Sequence, residues 1–111
     1  MRLIARDLME DVYRGYKYVV RQIGDSDISW LCGYVILPEN HKFFGVDYDE
    51  LSIIKCPGGI SFNGYLLDVD GGDSEVYAIG FDCMGRNGLD LNDVKAWCIH
   101  IIEQLESVAL K

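Results

Sequence analysis

The sequence predicts an α+β fold, an antiparallel sheet of about five strands with an N-terminal and a C-terminal helix packed on one face. Three observations predict it. Both ends of the chain carry apolar residues at helical spacing, over 2–14 and again over 91–108. The middle is built of short runs rich in Tyr, Val and Ile, punctuated by Gly, Asp and Pro. Half of the 111 residues are hydrophobic and 12% are aromatic, which suffices for one core but not two, so a single domain over 1–111 is expected.

Each element has its own signal. Ile4, Leu8 and Val12 recur every fourth residue with Ala5, Met9 and Tyr13 beside them, a helix period with a broad apolar face, and Gly15 is a natural stop. Tyr16–Ile23 and Trp30–Leu37 are β-forming runs separated by the turn formers Gly24-Asp25-Ser26-Asp27, so they read as a hairpin. Pro38 ends the second run. Glu39 to Asp49 reads as a loop that packs over the sheet, because Phe43, Phe44, Val46 and Tyr48 are too apolar to stay in water. Leu51–Cys56 and Ile60–Leu67 read as a second hairpin around Pro57-Gly58-Gly59. Glu75–Asp82 reads as the last strand, with Gly80 marking a bulge or a close contact. Asp90 is placed to cap a helix from Leu91 to Val108, whose buried stripe would be Val94, Trp97, Cys98, Ile101, Leu105 and Val108.

The net charge of −8 is unevenly distributed. Residues 1–21 carry five basic residues against three acids, a net +2, whereas 22–93 carry three against thirteen, a net −10; residues 94–111 balance. Such a field repels phosphates and attracts basic surfaces, which argues against direct nucleic acid binding. No signal peptide pattern and no apolar run of membrane-spanning length is present, so a cytoplasmic protein without a membrane partner is expected. Cysteines at 32, 56, 83 and 98 have neither the close pairs of a metal site nor the look of a secreted disulfide framework, and reduced thiols with no bound metal or other cofactor are expected.

Few constellations offer chemistry. Asp68, Asp70 and Asp73 with Gly71 and Gly72 suggest a cation loop, but the twelfth position from Asp68, where an EF-hand needs glutamate, is Ile79. A solvated acidic loop is the simpler reading. Asp47, Asp49, Glu50 and Asp82 could bring carboxylates to one rim of the sheet, yet no basic motif at catalytic spacing accompanies them. His41 could reach Cys32 or Cys83, and His100 falls on the solvent side of its helix. Gly85-Arg86-Asn87-Gly88 lacks the pattern of a phosphate loop and reads as a turn.

The segments Cys32-Gly33-Tyr34-Val35, Gly45-Val46-Asp47-Tyr48-Asp49, Pro57-Gly58-Gly59 to Gly64, and Ile79-Gly80-Phe81-Asp82-Cys83 carry a family resemblance. Over roughly 30–105 the chain resembles a group of small phage and prophage proteins with a pattern of the type C-G-Y-V, H-P-x-Y-G-x-D-Y-D-D, G-G-L-T-x-x-G and I-G-F-D-C-x-H-x-G-D. Cys83-Met84-Gly85-Arg86 stands where the pattern has cysteine, a small residue and histidine, and Cys56-Pro57 stands where histidine often precedes the double glycine, so the resemblance does not carry a shared histidine chemistry to this chain. The resemblance implies a viral accessory protein.

Two functions are expected from these readings. The first is a non-enzymatic inhibitor of a host defence machine, like an anti-CRISPR, whose Asp47, Asp49, Glu50, Asp68, Asp70 and Asp73 meet a basic groove on a host protein. The second is a small-ligand binder, a sponge for a nucleotide signal, using Trp30, Tyr34, Tyr48, Phe81, Asp82 and Arg86. The sequence leaves a homodimer open.

Overall fold

The computed structural model describes residues 4–25, 27–66, 76–84 and 89–109. The acidic loop 68–74 and the turn 85–88 lie outside them. One antiparallel sheet is built from β1 (Ile4–Tyr13), β2 (Tyr16–Gly24), β3 (Ser29–Ile36), β4 (Phe62–Tyr65) and β5 (Tyr77–Asp82), in the order β1-β2-β3-β5-β4. A helical turn, α1 (Tyr48–Leu51), and a long helix, α2 (Leu91–Ala109), complete the described fold.

The expected N-terminal helix is a strand. Tyr13 pairs with Tyr16 across Arg14 and Gly15, and both of these have positive φ, +51° and +83°, as a two-residue type I′ hairpin requires. A glycine that can end a helix can equally occupy this turn, and here it does the second. The apparent helix period arises from a bulge. The β1–β2 register shifts between Asp7 and Met9, so Ile4 and Arg6 share a sheet face with Met9, Asp11 and Tyr13. Leu8 absorbs the extra residue, and strict alternation is lost from the sequence.

The β2–β3 hairpin forms as expected, from Tyr18↔Val35 to Gly24↔Ser29, and Asp25 Oδ1 accepts from the N–H groups of Asp27 and Ile28 at 2.8 and 2.9 Å to close the turn. The second expected hairpin does not form. Leu51 and Ile54 are buried three residues apart while Ser52 and Ile53 face solvent, a helical rather than a strand pattern. Consequently 51–56 forms no strand, Leu51 ending α1 and 52–54 turning away from it, and β4, shorter than the expected 60–67, pairs with β5 instead.

The face of the sheet under α2 holds the main core. Tyr18 and Val20, Val35 and Leu37, and Tyr77, Ile79, Phe81 and Cys83 meet Val94, Cys98, Ile101, Ile102 and Leu105 of the helix. The segment 38–60 adds Phe43, Leu51 and Ile54 to the same core. Asp90 caps α2 through a reciprocal pair, Asp93 N–H to Asp90 Oδ1 at 2.9 Å and Asp90 N–H to Asp93 Oδ2 at 3.0 Å. Trp97, expected to be buried, is only partly so, and it packs edge-on against His100 on the outer side of α2.

Two glycines let the layers approach. A Cβ on Gly33 would stand 2.8 Å from Cys98 Sγ of α2 and 2.7 Å from the Phe81 ring. A Cβ on Gly80 would meet the Gly33 carbonyl oxygen at 2.5 Å and the Tyr34 ring at 2.6 Å, so Gly80 marks a close contact within an unbroken strand.

In equilibrium denaturation, Gly33→Ala should cost about 1–3 kcal/mol through overpacking. Ile101→Ala should cost about 2–5 kcal/mol by opening a cavity, and Trp97→Ala should cost clearly less than Ile101→Ala. Parental stability for Gly33→Ala would show that α2 does not press on β3 at this point.

Candidate functional site

The sheet face opposite α2 gathers one group of candidate residues. Strand alternation puts Val19, Arg21 and Ile23 of β2 beside Trp30, Cys32, Tyr34 and Ile36 of β3, with Ala78, Gly80 and Asp82 of β5 following in register. Cys32, Tyr34, Leu66 and Ala78 form a second small core there, flanked by Ile23, Trp30, Ile36 and Phe62.

Among the described residues, Arg21 is the one buried charged side chain of this face, at 7% exposure. Its Nε donates to Asp7 Oδ1 of β1 at 2.7 Å and its Nη2 donates to Asp7 Oδ2 at 3.4 Å. The guanidinium carbon lies 5.6 Å from the Tyr34 ring centroid, and Tyr34 meets Phe62 edge-on at 5.4 Å. This fork contact fixes the arginine plane over the phenol.

Burial governs the titration of this group. It pushes the Cys32 thiol up to about 11, opposed by hydrogen bonding with Tyr34 and reinforced by the Asp82 charge. Burial also raises Tyr34, reinforced by Cys32 and opposed by Arg21. Cys98, under α2, is pushed up to about 12 chiefly by burial, with Cys83 and Cys56 contributing. Cys32 and Cys98 are therefore neutral thiols near pH 7 and act as small apolar groups rather than nucleophiles. Asp82 is occupied locally, since its two carboxylate oxygens accept from Ser61 Oγ at 3.2 Å and Met84 N–H at 3.1 Å.

A second polar node ties the 38–60 segment to β2. His41 Nδ1 accepts from the Phe43 backbone N–H at 3.0 Å, and Nε2 lies 2.9 Å from the Tyr16 hydroxyl. Since Phe43 N–H can only donate, Nδ1 must carry a lone pair, and Nε2 carries the proton that it donates to Tyr16 Oη. His41 is thus engaged with Tyr16 and Phe43 rather than with Cys32 or Cys83. His100 is exposed, as expected.

The acids expected to bind a partner are divided. Asp47, Asp49 and Glu50 are exposed around α1, on the side of the sheet that carries α2. Asp68, Asp70 and Asp73 lie outside the described residues. Asp82 projects from the opposite sheet face, away from the side that carries Asp47 and Asp49. Among the described residues, no group of three or more His, Cys, Asp or Glu is placed to hold a metal.

The expected ligand set is also divided. Trp30, Tyr34 and Asp82 do share the open face. Phe81 points the other way, 1% exposed in the core beneath α2. Arg86 and the Tyr48 side chain lie outside the described residues.

Sequence reasoning missed the Arg21–Asp7 pair and the Tyr16–His41 contact. An arginine alternating with Val19 and Ile23 inside a strand signalled the first, because such a charge needs a cross-strand acid. Finding Asp7 required knowing that 4–13 is a strand. Comparisons with protein-family models, with curated proteins and with solved structures each find no match. Among the described residues, no helix is long and apolar enough to cross a membrane.

Native alkylation at pH 7.5 followed by peptide mapping should label the half-buried Cys56 first, with Cys32 and Cys98 reacting at appreciable rates only after unfolding. Rapid native labelling of Cys32 would contradict its burial on the open face.

Proposed function

We propose that this chain is a non-enzymatic binding protein that docks a basic protein surface through an acidic edge centred on Asp47, Asp49 and Glu50. The observation that carries the reading is the setting of these acids. They are exposed on a short helical turn whose Leu51 is 1% exposed in the core, and neither described ion pair, Lys17–Glu10 or Arg21–Asp7, involves them. Carboxylates held on an anchored backbone lose little freedom on binding, and their field accelerates encounter with a positive groove. By sequence, Asp68, Asp70 and Asp73 belong to the same acidic stretch of the chain, whose residues 22–93 carry a net −10 from three basic residues and thirteen acids.

The resemblance to small phage proteins supports a viral accessory role, and an acidic docking surface suits an inhibitor that occupies a nucleic-acid groove on a host defence protein in the host cytoplasm. The gathering of Trp30, Tyr34 and Asp82 on the open face favours small-ligand binding as a second reading. It ranks second because Asp82 and Arg21 already have protein partners there.

Reversing Asp47, Asp49 and Glu50 to Lys together should slow association with the partner roughly tenfold or more and leave dissociation and unfolding nearly unchanged. Wild-type association should also slow as salt rises, because screening shortens the reach of these charges to about 8–10 Å near physiological ionic strength. A partner indifferent to both would overturn the acidic-edge reading. An ultraviolet-absorbing small molecule that co-purifies and is lost on Trp30→Ala would favour the second.

A further inference from the structure

We propose that His41 is a proton-operated latch that holds residues 38–46, the approach to the acidic edge, against β2 and the core. The physical basis is the pair of contacts on its ring. Nδ1 accepts from Phe43 N–H at 3.0 Å, and Nε2 meets the Tyr16 hydroxyl at 2.9 Å. An imidazolium has a proton on each nitrogen, so protonation sets Nδ1–H against Phe43 N–H and breaks the first contact outright. No rotation of the ring about its bond to the chain repairs this, since both nitrogens of the cation are donors.

The contact matters because of what surrounds it. The His41 ring stacks on Phe43 at 6.0 Å and meets Tyr16 edge-on at 5.6 Å, and Phe43 is the side chain that seats this stretch in the core. Backbone bonds from His41 N–H to Pro38 O at 2.9 Å and from Phe44 N–H to His41 O at 3.0 Å wind the chain around the same ring. Beyond it, Asn63 Nδ2 holds Val46 O at 2.9 Å, immediately before Asp47. Further along, Gln104 of α2 clamps Lys55 through both its N–H and its C=O, each at 2.7 Å, so release at His41 frees the start of the segment and leaves its end tied.

The groups facing the ring set the direction. Burial lowers the His41 pKa from its ordinary 6.5, and the Glu106 carboxylate of α2 opposes that shift without reversing it. From β2 the facing titratable group is Tyr16, itself raised by burial and by Glu106 and therefore neutral here. Because the folded pKa lies below the unfolded one, the latch contributes fully above pH 6.5. Its contribution declines as the pH falls through that value, and it is gone below the folded pKa. On the reading proposed above, the approach to the acidic edge is thereby held at neutral pH and loosened in mild acid, while the Asn63 contact with Val46 and the buried Leu51 keep the edge itself in place.

Amide exchange on the free protein tests the latch without any partner, so its failure is separable from failure of the docking reading. Corrected for intrinsic rates, protection at Phe43 and Phe44 should be partly lost between pH 7.5 and 5.0, while protection in β3 and α2 changes little. His41→Asn keeps an acceptor for Phe43 N–H but has no titrating ring, so it should remove that pH dependence. Ring nitrogen shifts of the wild type should show the Nε2–H tautomer at neutral pH. A pH-independent segment, an unchanged pH response in His41→Asn, or an Nδ1–H tautomer would each overturn the proposal. If His41→Asn does not fold, the wild-type exchange and ring shifts decide it alone.

Discussion

The packing at the centre of the sheet depends on two glycines on neighbouring strands, one leaving space on each face. Gly33 of β3 yields the α2 side to Cys98 and Phe81, and Gly80 of β5 yields the opposite side to the Tyr34 ring. Each glycine is nearly in van der Waals contact with what the other strand presents, and a methyl at either position would fall inside a neighbour's radius. The fully buried face of α2, from Val94 to Leu105, reaches the sheet because of the first. The packing of Arg21 over Tyr34, and of Phe62 edge-on against it, has room on the other side because of the second.

The two faces that result serve different ends. The α2 side is apolar and deep, and it seats Phe43, Leu51 and Ile54 of the 38–60 segment, which in turn hold the exposed acids of α1 at a fixed place. Burial of such side chains is worth about 1.5–3 kcal/mol each, enough to order a stretch that has little secondary structure of its own. The opposite side combines a smaller apolar cluster with one polar pair. The Asp7–Arg21 fork neutralises a charge that would otherwise be costly to bury.

Legibility in the sequence followed the range of the interactions. The Gly24–Ser29 turn, the Asp90 cap and the α2 stripe depend on residues within a few positions of each other, and each is visible as a local pattern. Ile4–Tyr13 reads as a helix because one inserted residue at Leu8 turns a two-residue alternation into a spacing that mimics one. The β4–β5 pairing and the Tyr16–His41 contact join residues whose meeting depends on the whole topology, and no local pattern encodes them. The exposed acids Asp47, Asp49 and Glu50 were readable from charge alone, whereas the separation of Asp82 from them required the sheet register.

The strand order carries a consequence for how the chain reaches this state. β1, β2 and β3 form a meander of short loops that can close early, but β4 emerges before the strand it needs. Until β5 slots between them, β3 presents a bare hydrogen-bonding edge backed by Val35 and Tyr34, and the 38–60 segment has only part of its core. A nascent chain halted before residue 77 therefore exposes an adhesive strand, and in crowded synthesis the interval before β5 appears is when this protein is most vulnerable to pairing with the wrong neighbour.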